Sequence, residues 1–152
     1  MSDSIIDIIT NKKARFNYEI VDTFEAGIVL RGTEVKSIRQ KKVSIQESYA
    51  RIKNNEVYIV GMNITPYEMG NRYNHEADRE RKLLLHRQEI KRLTGKLQEK
   101  GFTLVPMKVY IKNGKVKLLL GLGKGKAAYD KRKTIQKRDI ERDMQREIKR
   151  YA

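Results

Sequence analysis

The stretch Phe102–Arg138, FTLVPMKVYIKNGKVKLLLGLGKGKAAYDKRKTIQKR, opens as a β-hairpin and ends as a basic tail. Asn113-Gly114 is a strong hairpin signal, because a two-residue type I′ turn needs φ > 0 at both central positions. A turn there sets the register. Ile111 falls opposite Val116, Val109 opposite Leu118, Met107 opposite Leu120 and Val105 opposite Leu122. Four apolar pairs on one side predict a buried face. The other face carries Lys108, Tyr110, Lys112, Lys115 and Lys117, cations around an aromatic ring. The second strand then runs into Gly121, Gly123 and Gly125, interleaved with Lys124 and Lys126, and reads as backbone freed where the sheet ends. A packed strand that delivers a cationic segment to a defined place is the build of a nucleic-acid binder.

The rest of the chain agrees in charge. Its 152 residues suit one domain with at most an appendage. Lysine and arginine total 34 against 19 acidic residues, a net charge of +15 that favours a polyanionic partner. Residues 124–152 hold 11 basic and 5 acidic side chains, so most of the excess positive charge lies in the body. With no cysteine, disulfide frameworks, thiolate metal sites and cysteine nucleophiles are excluded. The N-terminal MSDSIIDIIT lacks the basic region of a secretory signal, and no run nears the roughly 18 apolar residues of a membrane span. A cytoplasmic, monomeric protein is the expectation.

Taken in order, Ile5, Ile8 and Ile9 recur at helical spacing and predict a short N-terminal helix, capped by Asp3 or Ser4. Phe16 to Leu30 reads as two strands turning at Glu25-Ala26-Gly27. Thr33 then caps a helix through Gln40, with Val35 and Ile38 inward. Ser48 to Gly61 is a second hairpin turning at Asn54-Asn55, pairing Ile52 with Val57 and Ala50 with Ile59. Tyr67 to Arg81 is charged and aperiodic, a mobile loop by this reading. Leu83-Leu84-Leu85 is a short buried run. His86 to Lys100 reads as a helix with Ile90, Leu93 and Leu97 inward, ended by Gly101. Three hairpins with alternating faces predict an OB-type antiparallel β-barrel, mainly β with about three short flanking helices, because closure removes exposed edges. Beyond Arg132, the apolar residues Ile140, Met144, Ile148 and Tyr151 make a helical stripe one residue wide. So thin a stripe cannot hold a helix alone, so residues 131–152 are expected to fold only when bound.

Catalytic chemistry finds little support. Gly125-Lys126 is followed by alanine, and leucine occupies position 120, so there is no P-loop; Gly121-x-Gly123 lacks the third glycine of a dinucleotide fingerprint. His75 reads as an exposed loop residue, and His86 as either a helix cap or a ligand contact. No serine sits in a nucleophile elbow, and no cofactor or metal is called for.

Seven segments, in order and at their spacing, resemble the small protein B (SsrA-binding protein) family of bacterial trans-translation. They are Asn11-Lys12-Lys13-Ala14-Arg15, Phe24-Glu25-Ala26-Gly27, Gly32-Thr33-Glu34-Val35-Lys36-Ser37, Asn63-Ile64-Thr65-Pro66-Tyr67, Arg81-Lys82-Leu83-Leu84-Leu85-His86, Gly123-Lys124-Gly125-Lys126 and Asp130-Lys131-Arg132. The resemblance implies an OB-type barrel over residues 1–130 that binds the transfer-RNA-like domain of transfer-messenger RNA (tmRNA). It implies delivery of that RNA, with elongation factor Tu, to the decoding centre of stalled ribosomes, where the tail over 131–152 enters the empty message channel. Carried over by position, the RNA surface includes Asn11, Tyr18, Glu25, Leu84, His86, Lys115, Lys124 and Lys126. Tyr129, Asp130, Lys131, Arg132 and Ile140 would face the ribosome. Ile140 departs from the family, which often has tryptophan there. Glu25 is chemically sensible on an RNA surface, since a carboxylate accepts from base amino groups and lysine cannot. Three other classes stay open on residues alone: a general OB-type RNA binder, a basic architectural DNA protein, and a nuclease, which would need a metal–carboxylate site.

Overall fold

The computed structural model describes residues 4–67 and 74–126. Nine strands and three helices follow one another: β1 (Ile5–Thr10), α1 (Lys12–Asn17), β2 (Tyr18–Ile28), α2 (Gly32–Arg39), β3 (Val43–Ser44), β4 (Tyr49–Lys53), β5 (Glu56–Val60), β6 (Asn63–Ile64), β7 (Arg81–Leu84), α3 (Arg87–Leu97), β8 (Phe102–Lys112) and β9 (Lys115–Gly125). All pairings are antiparallel. The order β8-β4-β5-β7-β2-β9 returns to β8 through a β8–β9 pairing, so six strands close in a ring. That is the closed, mainly β arrangement with three helices that the alternating faces predict. β1 adds to the outside of β8, and β3 pairs with β6 as a separate ribbon.

The ring closes over an apolar interior. Phe24, Ala26, Val57, Ile59, Leu83, Leu104, Val109, Leu118 and Leu120 fill it, joined by Ile38 of α2 and Leu93 of α3. Each fully buried branched side chain contributes about 1.5–3 kcal/mol. The β4–β5 hairpin has the register its alternation predicts, Ile52 opposite Val57 and Ala50 opposite Ile59, with Asn54 and Asn55 at φ 53 and 61.

Several expectations are corrected. The N-terminal isoleucines form strand β1 and no helix. A β-branched run suits the pleat, and a bulge between Asp7 and Ile9 lets Ile8 and Ile9 both pack on the core. Ser4 and Asn113 exchange two hydrogen bonds, of 3.0 and 2.9 Å, which tie β1 to the β8–β9 turn. Second, Phe16 to Leu30 holds the last two residues of α1 and one 11-residue strand, with no turn at Glu25-Ala26-Gly27. Third, the β8–β9 register follows the turn only as far as Val109–Leu118. A bulge at Met107 then puts Pro106 opposite Leu120 and Leu104 opposite Leu122. Met107 instead turns outward and joins Ala14 and Val105 in a second small core under α1. Gly121 and Gly123 belong to that core: a Cβ on Gly121 would lie 2.6 Å from the Met107 sulfur, and one on Gly123 3.0 Å from Ile20. They allow close approach, where the sequence reading took them as loosened backbone.

Fourth, residues 74–81 are folded onto the body. His75 is 5 % exposed, and its ring bridges the Thr33 hydroxyl and the Ile64 carbonyl at 2.9 and 2.8 Å. Arg81 is fully buried, paired with the fully buried Glu34, and donates to the carbonyls of Met62, Arg79, Glu76 and Ala77. Residues 68–73 of the same stretch lie outside the described residues. The helix expected to run from His86 to Lys100 ends at Leu97, with Gly101 three residues past its Gln98 cap at φ 89. In the Leu83-Leu84-Leu85 run only Leu83 is buried; Leu84 is 52 % exposed. α2 forms as predicted, but its cap is Arg31, whose N–H donates to Glu34 at 2.8 Å.

Candidate nucleic-acid interface

Strands β2 and β9 carry four of the eight residues singled out for RNA, Tyr18, Glu25, Lys115 and Lys124. β2 pairs with β9 from Tyr18–Gly125 to Gly27–Lys117, a run of about 30 Å at 3.3 Å per residue. At its first end stand Tyr18, Lys124 and Lys126. Lys124 pairs with Glu19 across the ladder, and its ammonium lies 4.9 Å from the centre of the Phe102 ring. The Lys126 N–H donates to the Asn17 carbonyl at 2.9 Å. Asn11 sits near this end but is 6 % exposed. Its N–H and Nδ2 donate to the carbonyls of Met107 and Pro106 at 2.7 and 3.0 Å. Asn11 therefore clips α1 to the β8 bulge.

At the other end Glu25 stands among cations. Its Oε2 accepts from the Tyr110 hydroxyl at 2.5 Å, and Lys112 approaches at 3.5 Å. The Tyr110 bond, more than the charges of Lys112 and Lys117, holds the Glu25 carboxyl below its ordinary range against the cost of desolvation. Burial, and then Glu25 itself, push the Tyr110 hydroxyl far up, so it remains a donor. Lys115 is exposed opposite Lys112. Leu84 is exposed opposite Gly27, where a Cβ would come within 3.2 Å of it. His86 lies two residues on, exposed, at the N-cap of α3, where its N–H donates to Glu89 at 3.1 Å. The imidazole itself makes no capping bond. Glu25 is thus a fixed acceptor in a cationic field, and a base amino group can donate to the oxygen that Tyr110 leaves open.

Tyr110 is 5 % exposed and serves as the anchor of Glu25, whereas the sequence placed it only as a ring among lysines. No pattern in the sequence joins residues 25 and 110. Lys108 is engaged with Asp7 at 3.1 Å and so holds β1. Tyr129, Asp130, Lys131, Arg132 and Ile140 lie outside the described residues. Among the described residues no group of three His, Asp or Glu side chains is placed to hold a metal ion, and no helix is long and apolar enough to cross a membrane.

A closed β ring with Tyr18, Lys124 and Lys126 at one end of an outer ladder, and the anchored Glu25 beside Lys112 and Lys117 at the other, is the build of a nucleic-acid-binding module. A family model described as SmpB protein matches residues 8–150, and the chain belongs to the SmpB family. It is 59 % identical to the SsrA-binding protein of Acetivibrio thermocellus, over 93 % of this chain and 92 % of that one. It is 51 % identical to the SsrA-binding protein of Thermosynechococcus vestitus, over 98 % and 99 %. A chain of the solved assembly described as "tmRNA-SmpB: a journey to the center of the bacterial ribosome" superposes with a TM-score of 0.67. It is 49 % identical, and the match covers 81 % of this chain and 87 % of that one.

Proposed function

We propose that this chain binds the transfer-RNA-like domain of tmRNA and brings it, with elongation factor Tu, to stalled ribosomes for trans-translation and peptide tagging. The observation that carries this reading is convergence. Tyr18, Glu25, Leu84, Lys115 and Lys124 come from separate segments and meet along one ladder and the strands beside it. The similarity to SsrA-binding proteins and to a tmRNA–SmpB assembly supports it. The role is to bind and position RNA, without catalysis or cofactor, as a monomer in the cytoplasm where stalled ribosomes are found. Asn11 contributes by fixing α1, while Tyr18, Glu25, Leu84, His86, Lys115, Lys124 and Lys126 face the RNA. Residues 1–130 form the RNA-binding unit. Residues 131–152, with Tyr129, Asp130, Lys131, Arg132 and Ile140, act on the ribosome in the decoding centre and message channel.

The test is a competition at about 150 mM salt, where unspecific phosphate binding is weakened. The full chain should prefer the transfer-RNA-like domain to duplex DNA and to ordinary transfer RNA of similar length. Equal binding of transfer RNA would favour the general RNA binder instead. Truncation after Arg132 should leave tmRNA binding within a few-fold and abolish tagging on stalled ribosomes.

A further inference from the structure

Beside the ladder, between α3 and the β4–β5 turn, lies a groove of about 720 Å³, within the range of small-molecule sites. Arg87, Ile90, Lys91 and Thr94 line one wall. They recur at i, i+3, i+4 and i+7, which puts them on one helical face. Leu84 and Leu85 form the apolar floor. The turn residues Asn54 and Asn55 close one end with two side-chain amides, held out by their left-handed backbone.

The charges in the groove do not cancel. Glu56 is already engaged, accepting from Lys82 and from the Tyr58 hydroxyl, each at 2.8 Å. Arg87 and Lys91 are exposed and have no acidic partner among the described residues. An apolar floor, two amides and two uncompensated cations match the three parts of a nucleotide. The base needs a face to lie on, its edge needs paired donors and acceptors, and its phosphate needs cations. A base within a duplex has both faces covered and cannot offer face and edge together, so the fit is to an unpaired one. The groove is continuous at Leu84 with the surface assigned to tmRNA.

We propose that this groove receives one unpaired nucleotide of the transfer-RNA-like domain, its base against Leu85 and Ile90, its edge at Asn54 and Asn55, and its phosphate at Arg87 and Lys91. The proposal rests on the reading given above and adds a subsite off the ladder.

The transfer-RNA-like domain substituted with 4-thiouridine, bound to the full chain and irradiated, should cross-link to residues 84–94. Two variants, checked for folding by circular dichroism, should each bind that RNA about tenfold more weakly at 150 mM salt. Thr94→Trp fills the groove, and Arg87→Ala with Lys91→Ala removes its cations from the surface. Thr94→Trp should leave binding of duplex RNA unchanged. Cross-links confined to other segments, with both variants binding as wild type, would overturn the proposal. So would amide shifts at Asn54, Asn55 and Thr94 produced by an acidic peptide and not by the RNA. If Glu25→Ala weakens binding and the groove variants do not, the subsite falls and the tmRNA reading stands. A wild-type chain that does not prefer the transfer-RNA-like domain removes that reading, and the subsite with it.

Discussion

Glu34 and Glu25 are both carboxylates held by arginine, lysine or tyrosine, and they do opposite things. Glu34, in the first turn of α2, is fully buried and gripped by Arg81, by Arg79 at 2.6 Å and by the Arg31 N–H. Burial works against its charge, but these three donors together hold its carboxyl below its ordinary value. Three donors and complete burial close it off, so nothing outside the protein can use it. Glu25 sits on the rim with its side chain 38 % exposed, its Oε2 anchored by Tyr110 and its Oε1 approached by Lys112 at 3.5 Å. The same chemistry thus closes a fold in one region and presents an acceptor in the other. The difference is burial: the Glu34 side chain is 0 % exposed and that of Glu25 38 %.

Breaking the buried cluster should have the largest effect. Glu34→Ala leaves Arg81 charged, dry and unpaired, and should cost about 3–5 kcal/mol in denaturant unfolding. Because the folded-state pKa of Glu34 is depressed, its contribution is complete above its ordinary value of 4.5 and is lost as pH falls through and below it. Wild type should therefore lose stability on acidification in that range, and the alanine variant should lose less of it there. Gly121→Val comes next. Its Cβ meets the Met107 sulfur, an overpacking worth about 1–3 kcal/mol, and a Met107→Ala partner should recover part of the loss in a double-mutant cycle. The smallest stability effect should come from Tyr110→Phe, about 1 kcal/mol or less for one hydrogen bond. Yet it frees Glu25 and should weaken tmRNA binding several-fold. A Tyr110→Phe chain that binds tmRNA as tightly as wild type would show that Glu25 needs no anchor.

The same contrast marks how much was legible in the sequence. The β4–β5 hairpin could be read because Asn54-Asn55 and strict alternation leave one register. The turn half of β8–β9 was legible for the same reason. Beyond Val109 the reading slipped, and Pro106 inside the strand was the available warning, since proline favours bulges. β1 was misread because a bulge lets adjacent Ile8 and Ile9 both face inward, which imitates helical spacing. The Glu34–Arg79–Arg81 cluster and the burial of His75 were not legible: a charged, aperiodic stretch looks the same whether it is solvated or folded over a buried carboxylate. For the interface, the resemblance named the residues, while the pairing of β2 with β9 and the Tyr110 bond to Glu25 are visible only in the fold.

The central claim is that Glu25 is a specific acceptor among the lysines at its end of the proposed RNA surface. It is tested most directly by the affinity of Glu25→Ala for the transfer-RNA-like domain of tmRNA, measured against duplex DNA at about 150 mM salt. The account predicts weaker binding to the transfer-RNA-like domain, although the variant is more positive, and unchanged or slightly tighter binding to duplex. Tighter binding to both would contradict it, and would show that bulk charge governs the site.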